Sequence, residues 1–114
     1  MLVGCGAGHD DVSDAATRFL DAAASGDTET ACSLLTPRTR DDLVVSDGGS
    51  CEQALPVERL GGSVSGVDVW SDQSRVDTDG GGTLFLTEFD SGWLVSAAGC
   101  EPDGDAPYQC VVSG

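Results

Sequence analysis

Five cysteines in a chain of 114 residues constrain the fold more than any other feature of this sequence. That is many for a small domain in a reducing compartment, and no two of them have the C-x-x-C spacing of a zinc or redox pair. We therefore expect no cysteine metal site, and an oxidising location in which four cysteines form disulfides; the alternative is four buried free thiols. Cys5, close to the start, is the simplest candidate for the unpaired one. The other four are Cys32, Cys51, Cys100 and Cys110.

Charge limits the partners of the chain. The sequence has 20 acidic and 5 basic residues, for a formal net charge of −15. Nucleic acid is excluded as a partner because phosphate binding needs clustered positive charge, and an anionic membrane surface would repel the chain. The length allows one domain, and the periodic arrangement of the 39% of apolar residues predicts a folded core.

Cys5 is the last residue of a short motif, since the segment 2–5 reads leucine, valine, glycine, cysteine. This motif is similar to a bacterial lipobox, and in such lipoproteins the cysteine sulfur carries a diacylglyceryl group. The resemblance implies an extracytoplasmic protein attached to the cell membrane through lipid on Cys5; the alternative is a chance match. The four residues before Cys5 are too few for a signal peptide, so we expect either that Met1 begins a trimmed chain or that the start codon lies further upstream.

The residues that follow the lipobox are small and polar, which is typical of a flexible tether. We therefore divide the chain into 1–11, the truncated lipobox and tether, and 12–114, a single folded domain. His9, the only histidine, lies in the tether with no visible partner, and we expect it to be solvated.

The first half of the domain has helical periodicity. Apolar residues spaced i, i+4, i+7, i+8 and i+11 predict a helix over 12–24 with Asp11 as its N-cap. Asp27 is expected to cap a second short helix, and Thr36-Pro37 to start a third, because proline favours the first helical position. The segment 50–53 has the spacing of a capping box and predicts a further helical turn.

From Gly61 onward the apolar residues alternate, which predicts antiparallel strands. The clearest hairpin joins 83–89 to 93–98 through a three-residue loop, 90–92. If Phe89 faces Trp93, Thr87 pairs with Val95 and Phe85 with Ala97.

This register divides the hairpin into two faces. One face carries Phe85, Phe89, Trp93 and Val95 and is expected to pack on the helices. The other carries Leu84, Leu86 and Leu94, which are too apolar to remain wet, so we expect a second cover or a homodimer there.

Helices followed by an antiparallel meander are an α+β pattern, with the N-terminal helices packed on a curved antiparallel sheet. The chain resembles small secreted or lipid-anchored proteins of high-GC Gram-positive bacteria with the NTF2-like cone fold, also called cystatin-like or SnoaL-like. The resemblance covers the chain from Val12 onward and implies the fold and an oxidising compartment; most members are uncharacterised, so it implies no activity. It rests on the long first helix and on the segments 31–37, 51–55, 92–95, 99–102 and 107–110.

The resemblance also implies the pairing of the cysteines. Of the three connectivities of four cysteines, it favours the local one, Cys32 with Cys51 and Cys100 with Cys110. The first bridge would join helix to helix, and the second would close the C-terminal loop.

One set of acidic residues has the spacing of a calcium loop. Asp77, Asp79, Gly82 and Glu88 occupy positions 1, 3, 6 and 12 of the EF-hand pattern. However, Gly81 at position 5 supplies no side-chain ligand and the flanking residues predict strands, so we expect an acidic hairpin turn and no metal.

An acid–base pocket is the alternative source of chemistry. Some proteins with the cone fold use a buried carboxylate with a tyrosine or second acid to isomerise ketosteroids or cyclise polyketides. Here alternation predicts that the strand acids Asp68, Asp77 and Glu88 are exposed, and the only tyrosine, Tyr108, lies between Cys100 and Cys110. We therefore name no catalytic residue and no cofactor, and keep such an enzyme as the alternative function.

Binding is the function that the sequence favours. A cone cavity lined by Phe19, Leu20, Phe85 and Trp93 would hold a small apolar ligand, unless these side chains only form the core. We expect an extracytoplasmic, lipid-anchored binding or accessory module, with a small apolar ligand or a protein as its partner.

Overall fold

The structure is a computed structural model that describes residues 6–80, 82–103 and 106–113; Cys5 lies outside them. Helices form the first half of the chain and strands the second, so the α+β class predicted from the sequence is confirmed. A short 3-10 turn, Val57–Arg59, connects the two halves. The helices are α1 (Gly6–Ser25), α2 (Thr28–Ser33), α3 (Pro37–Asp47) and α4 (Cys51–Ala54).

Side-chain caps start three of the helices, as predicted. In each case an oxygen of the N-cap side chain accepts a hydrogen bond from a backbone amide three residues later. These pairs are Asp27 with Thr30, Thr36 with Thr39, and Ser50 with Gln53, at 3.3, 3.2 and 3.2 Å.

The first helix is longer than predicted. It begins at Gly6 rather than at Val12, so the prediction of a flexible tether over residues 6–11 is wrong, and so is the N-cap at Asp11. Packing explains the difference, because a Cβ at Gly8 would lie 3.8 Å from Val69 Cγ1 of the sheet. The sheet thus supports a turn whose own sequence is a weak helix former. His9 lies in this turn with an exposed side chain.

The strands form one antiparallel sheet in the order β1-β2-β3-β4-β5, with β6 beside β4. Leu35, between α2 and α3, adds an isolated parallel bridge to Val95. The strands are β1 (Ser63–Trp70), β2 (Gln73–Asp79), β3 (Thr83–Phe89), β4 (Gly92–Asp103), β5 (Ala106–Gln109) and β6 (Val112–Ser113).

The β3–β4 hairpin has a different register from the predicted one. Its loop has two residues, because Gly92 pairs with Phe89 as part of the strand. Thr87 therefore faces Leu94 instead of Val95. A register shift at Ser96 then restores one predicted pair, Phe85 with Ala97.

Because of this register, the hairpin side chains are divided between the two faces of the sheet differently from the prediction. Leu84 and Leu86 are fully buried, while Leu94 is half-buried. The prediction that these three leucines lie together on the face away from the helices is therefore wrong, because Leu84 and Leu86 belong to the core. Phe89 does not belong to the core between the sheet and α1 either, since 41% of it is exposed.

The core lies between α1 and the inner face of the sheet. Phe19, Leu20 and Trp93, predicted to line a cavity or the core, are buried in the main apolar cluster. Phe85, the fourth member of that set, is half-buried and pairs with Arg75 and Ala97. The four side chains therefore do not line a common cavity.

Two disulfides connect the elements, and both predicted pairings are confirmed. Cys32–Cys51 joins α2 to α4, and Cys100–Cys110 joins β4 to the residue after β5. Three of the four half-cystines are buried, and Cys110 is half-buried.

The buried hydroxyl of Ser74 on β2 has no hydrogen-bond partner among the described residues. A buried polar group without a partner carries an uncompensated desolvation cost. We expect Ser74→Ala to raise the free energy of unfolding by about 1 kcal/mol in urea denaturation. Ser65→Ala, at an exposed serine of β1, is the control and should be neutral. A loss of stability in Ser74→Ala would contradict this expectation.

Candidate functional site

The face of the sheet opposite α1, here called the outer face, is built from rows of paired residues that cross four strands. Successive antiparallel pairs place neighbouring side chains on the same face. One row is Trp70, Gln73, Thr87 and Leu94, and the next is Asp68, Arg75, Phe85 and Ala97.

Two aromatic side chains are exposed at one end of the outer face. Trp70 is the last residue of β1 and is 52% exposed, and Phe89 is the last residue of β3 and is 41% exposed. The third large apolar side chain with high exposure among the described residues, Val45, lies on α3. Trp70 and Phe89 thus give this end of the sheet an apolar character in a strongly acidic chain.

An ion-pair group occupies the middle of the outer face. Arg75 Nη2 lies 2.7 Å from Asp68 Oδ2, and Arg75 Nε lies 3.7 Å from Asp77 Oδ1. The two carboxylate side chains are 57% and 46% exposed, so the pairs contribute at most about 1 kcal/mol each. Glu88 is also exposed. The predicted exposure of the strand acids is therefore confirmed at Asp68 and Glu88, with Asp77 half-buried.

No carboxylate belongs to the buried polar side chains of the described residues, which are Thr36, Thr39, Ser74 and Thr83. The acid–base alternative requires an inward, desolvated acid. Tyr108, its other candidate, lies on β5. The described part of the chain therefore does not bring the parts of that pocket together.

The calcium-loop spacing corresponds to a strand pairing. Asp77 pairs with Thr83 at the start of β3, whereas Glu88 lies near its end, five residues and roughly 17 Å further on. One cation cannot contact both carboxylates across that distance. Within the described ranges no group of three or more histidine, cysteine or acidic residues has a metal-binding arrangement.

A groove of about 360 Å³ lies between the start of α3 and the outer face. Its floor contains Thr87 and Phe89 of β3, and its wall contains the residues around Pro37. The other lining residues are Thr36, Arg38, Thr39 and Ser96. Because most of its lining is aromatic ring, proline ring and threonine methyl groups, the groove is apolar.

Buried hydrogen bonds fix the wall of this groove. Thr36 Oγ1 donates to Thr39 Oγ1 at 2.7 Å, and Thr39 Oγ1 donates to the Ser96 carbonyl oxygen at 2.8 Å. Backbone bonds add to this, since the Thr36 amide donates to the Val95 carbonyl oxygen at 2.9 Å. The start of α3 is therefore held directly against β4, and the groove is preformed.

Arg38 gives the groove one positive charge. The side chain is exposed, and the described part of the chain places no carboxylate within ion-pair distance of it. Arg18 and Arg75, by contrast, both have acidic partners. An uncompensated arginine beside an apolar floor is suited to a ligand with an apolar body and an anionic group.

Sequence reasoning identified Thr36 and Pro37 as a helix start but did not identify the groove. The groove depends on where that helix start docks and on the face to which Phe89 points. None of the helices in the described ranges combines the length and apolar character needed to cross a bilayer. Comparison with protein-family models, with curated proteins and with solved structures finds no match for this chain.

Proposed function

We propose that this chain is an extracytoplasmic binding domain that is attached to the cell membrane through lipid on Cys5. Its ligand is a small molecule with an apolar body and an anionic group, held in the groove between α3 and the outer face. The observation that carries the proposal is the coincidence, in one groove, of exposed Phe89 and of Arg38, for which the described residues supply no ion-pair partner.

The ligand chemistry follows from the lining. Covering the exposed part of Phe89 and the ring of Pro37 removes apolar area from water, which favours an apolar ligand body. Arg38 provides a planar donor for a carboxylate, sulfonate or phosphate at the rim. The formal charge of −15 would repel an anion elsewhere on the surface, so the arginine selects the orientation of the ligand.

The location is supported by the covalent framework. Two disulfides are compatible with an oxidising compartment. They also leave Cys5 as the one cysteine without a partner in a disulfide, as expected for a lipidation site.

An NTF2-like cone is our proposal for the fold. In its favour, a 20-residue helix lies across the inner face of an antiparallel sheet that has register shifts in β1 and β4. Such shifts bend and coil a sheet, as a cone requires.

Binding of 1-anilinonaphthalene-8-sulfonate tests the groove, because this probe has an apolar body and a sulfonate. We expect saturable binding whose Kd rises about five- to tenfold in Phe89→Ala and in Arg38→Ala. The matched controls are Arg40→Ala and Val45→Ala, two exposed residues of α3 outside the groove, which should leave Kd unchanged. Equal binding by the Arg38→Ala and Arg40→Ala variants would contradict the proposal.

Lipidation has a separate test. The gene product, expressed with a signal peptide in a bacterium that makes lipoproteins, should incorporate a labelled fatty acid and remain with the membranes. Cys5→Ser should abolish both. Unmodified Cys5 in the protein that carries the signal peptide would overturn the anchor but leave the groove untouched.

A further inference from the structure

Three parts of the chain meet at one end of the molecule: the start of α1, the β1–β2 turn and the β3–β4 turn. A Cβ at Gly8 would lie 3.8 Å from Val69 Cγ1, next to the end of β1. The Glu88 amide donates to the Asp72 carbonyl oxygen at 2.9 Å, which joins the β1–β2 turn to the end of β3.

Helix α1 runs antiparallel to β1, so its start is at this end. Leu20 and Asp21 line a pocket together with Ser63 at the opposite end, where β1 begins. Gly6 lies two residues, about 3 Å of helix, before Gly8. The first residue of α1 therefore lies level with Trp70 or beyond it.

Cys5 is bonded directly to Gly6, so their Cα atoms are about 3.8 Å apart. Since α1 begins at Gly6, no tether separates the lipid-bearing cysteine from the folded domain. A diacylglyceryl group on Cys5 would therefore hold this end of the domain within a few ångströms of the bilayer surface.

The exposed aromatic side chains are at the same end. Trp70 follows Val69, the residue against which Gly8 lies, and Phe89 precedes the β3–β4 turn. The headgroup layer is roughly 5–8 Å thick on each side of a bilayer, and tryptophan favours that layer because its ring is amphipathic. Both rings are thus within reach of the layer once the lipid is inserted.

The charges at this end of the domain limit how deeply it enters a bilayer and indicate which lipids it contacts. Each turn carries an exposed aspartate, Asp72 beside Trp70 and Asp90 beside Phe89. Carboxylates cannot enter the hydrocarbon without a large cost, and they are repelled by anionic lipids. The partner that suits this end of the domain is a lipid surface with zwitterionic or uncharged headgroups.

We infer that this end of the domain lies against the bilayer, with the Trp70 ring in the headgroup layer. The inference rests on the proposed lipid on Cys5, because the two aromatic side chains alone provide too little apolar area for stable attachment. In this arrangement the lipid orients the domain on the membrane, in addition to attaching it.

Tethering the full chain chemically tests the inference. With four cysteines in disulfides, Cys5 is the only free thiol and will react with a maleimide phospholipid in phosphatidylcholine vesicles. Trp70 is 52% exposed and Trp93 is 7% exposed, so quenching by aqueous acrylamide reports mainly on Trp70. We expect tethering to lower the quenching constant at least twofold and to allow quenching by a nitroxide lipid labelled near the headgroup.

Two controls define the outcome. Trp70→Phe retains only Trp93, whose emission should not respond to tethering, and Cys5→Ser mixed with the same vesicles should behave as free protein. If Trp70 in the tethered chain remains as accessible to acrylamide as in free protein, the inference is overturned. Because the lipid is attached chemically, that failure is distinct from absence of lipidation in the bacterium.

Discussion

Replacing Cys32 and Cys51 together with alanine should lower the free energy of unfolding by about 3 kcal/mol. The bridge closes a loop with a sequence separation of 19, and its removal restores that conformational freedom to the unfolded chain. Alanine is the suitable replacement, because both cysteines are buried and serine would bury an additional hydroxyl. A domain of this size has a total stability of roughly 5–15 kcal/mol, so the loss is a large fraction.

The second bridge provides the comparison for this experiment. Cys100–Cys110 has a sequence separation of 10, and replacing both cysteines with alanine should cost slightly less, about 2.8 kcal/mol. Urea denaturation of both variants and of the parent protein measures the difference. An unchanged urea midpoint after removal of Cys32–Cys51 would show that α2 and α4 are held together without it.

Leu86→Ala should lower the free energy of unfolding by roughly 3 kcal/mol, whereas Leu94→Ala should lower it by about 1 kcal/mol. Leu86 is fully buried against the core, and Leu94 is half-buried on the outer face. Truncation of the buried leucine removes apolar contacts and leaves a cavity, whereas the space left at the half-buried leucine is open to water.

The same pair of variants distinguishes the observed hairpin register from the predicted one. With the predicted register both leucines lie on one face and both truncations have similar effects. Equal losses in urea denaturation, with unchanged dependence of the free energy on urea, would therefore contradict the register described here. They would also support the predicted covered or dimeric face of Leu84, Leu86 and Leu94.

Local chemistry explains which parts of the fold were predictable. Asp27, Thr36 and Ser50 start helices because their side chains satisfy amides within the same turn, and this requires no knowledge of distant residues. The start of α1 was not predictable in this way. It depends on packing of Gly8 against Val69, which is 61 residues away in sequence.

In the β3–β4 hairpin, an error of one residue in the predicted loop changes the predicted pairing of the following strand. The sequence predicts Gly92 in the loop because glycine favours turns, but it lies in the strand, where φ is +123°. A difference of one residue in loop length exchanges the faces of the β4 side chains from Trp93 to Val95 relative to β3. Phe89 lies at the groove because its face of β3 points away from α1, and local sequence does not show which face this is. The candidate site therefore cannot be assembled from the sequence, although Thr36 and Pro37 are identified as a helix start.

The cysteine framework was predicted through the family resemblance, and spacing alone left three connectivities open. Both bridges are local in sequence, joining elements whose order along the chain was correctly predicted. The lipid-anchor prediction depends on residues 2–5, which lie outside the described residues, so it remains a prediction.

The β-bridge between Leu35 and Val95 affects the tendency of the protein to aggregate. Exposed strand edges recruit other chains, and β4, the longest strand, would offer the longest template. Short segments cover its free side in succession: Leu35 pairs at Val95, β6 at Ala97 and Ala98, and β5 from Glu101 to Asp103. The linker between α2 and α3 thus helps to prevent strand-to-strand aggregation. Charge repulsion alone would prevent it poorly at high salt, because salt screens the repulsion.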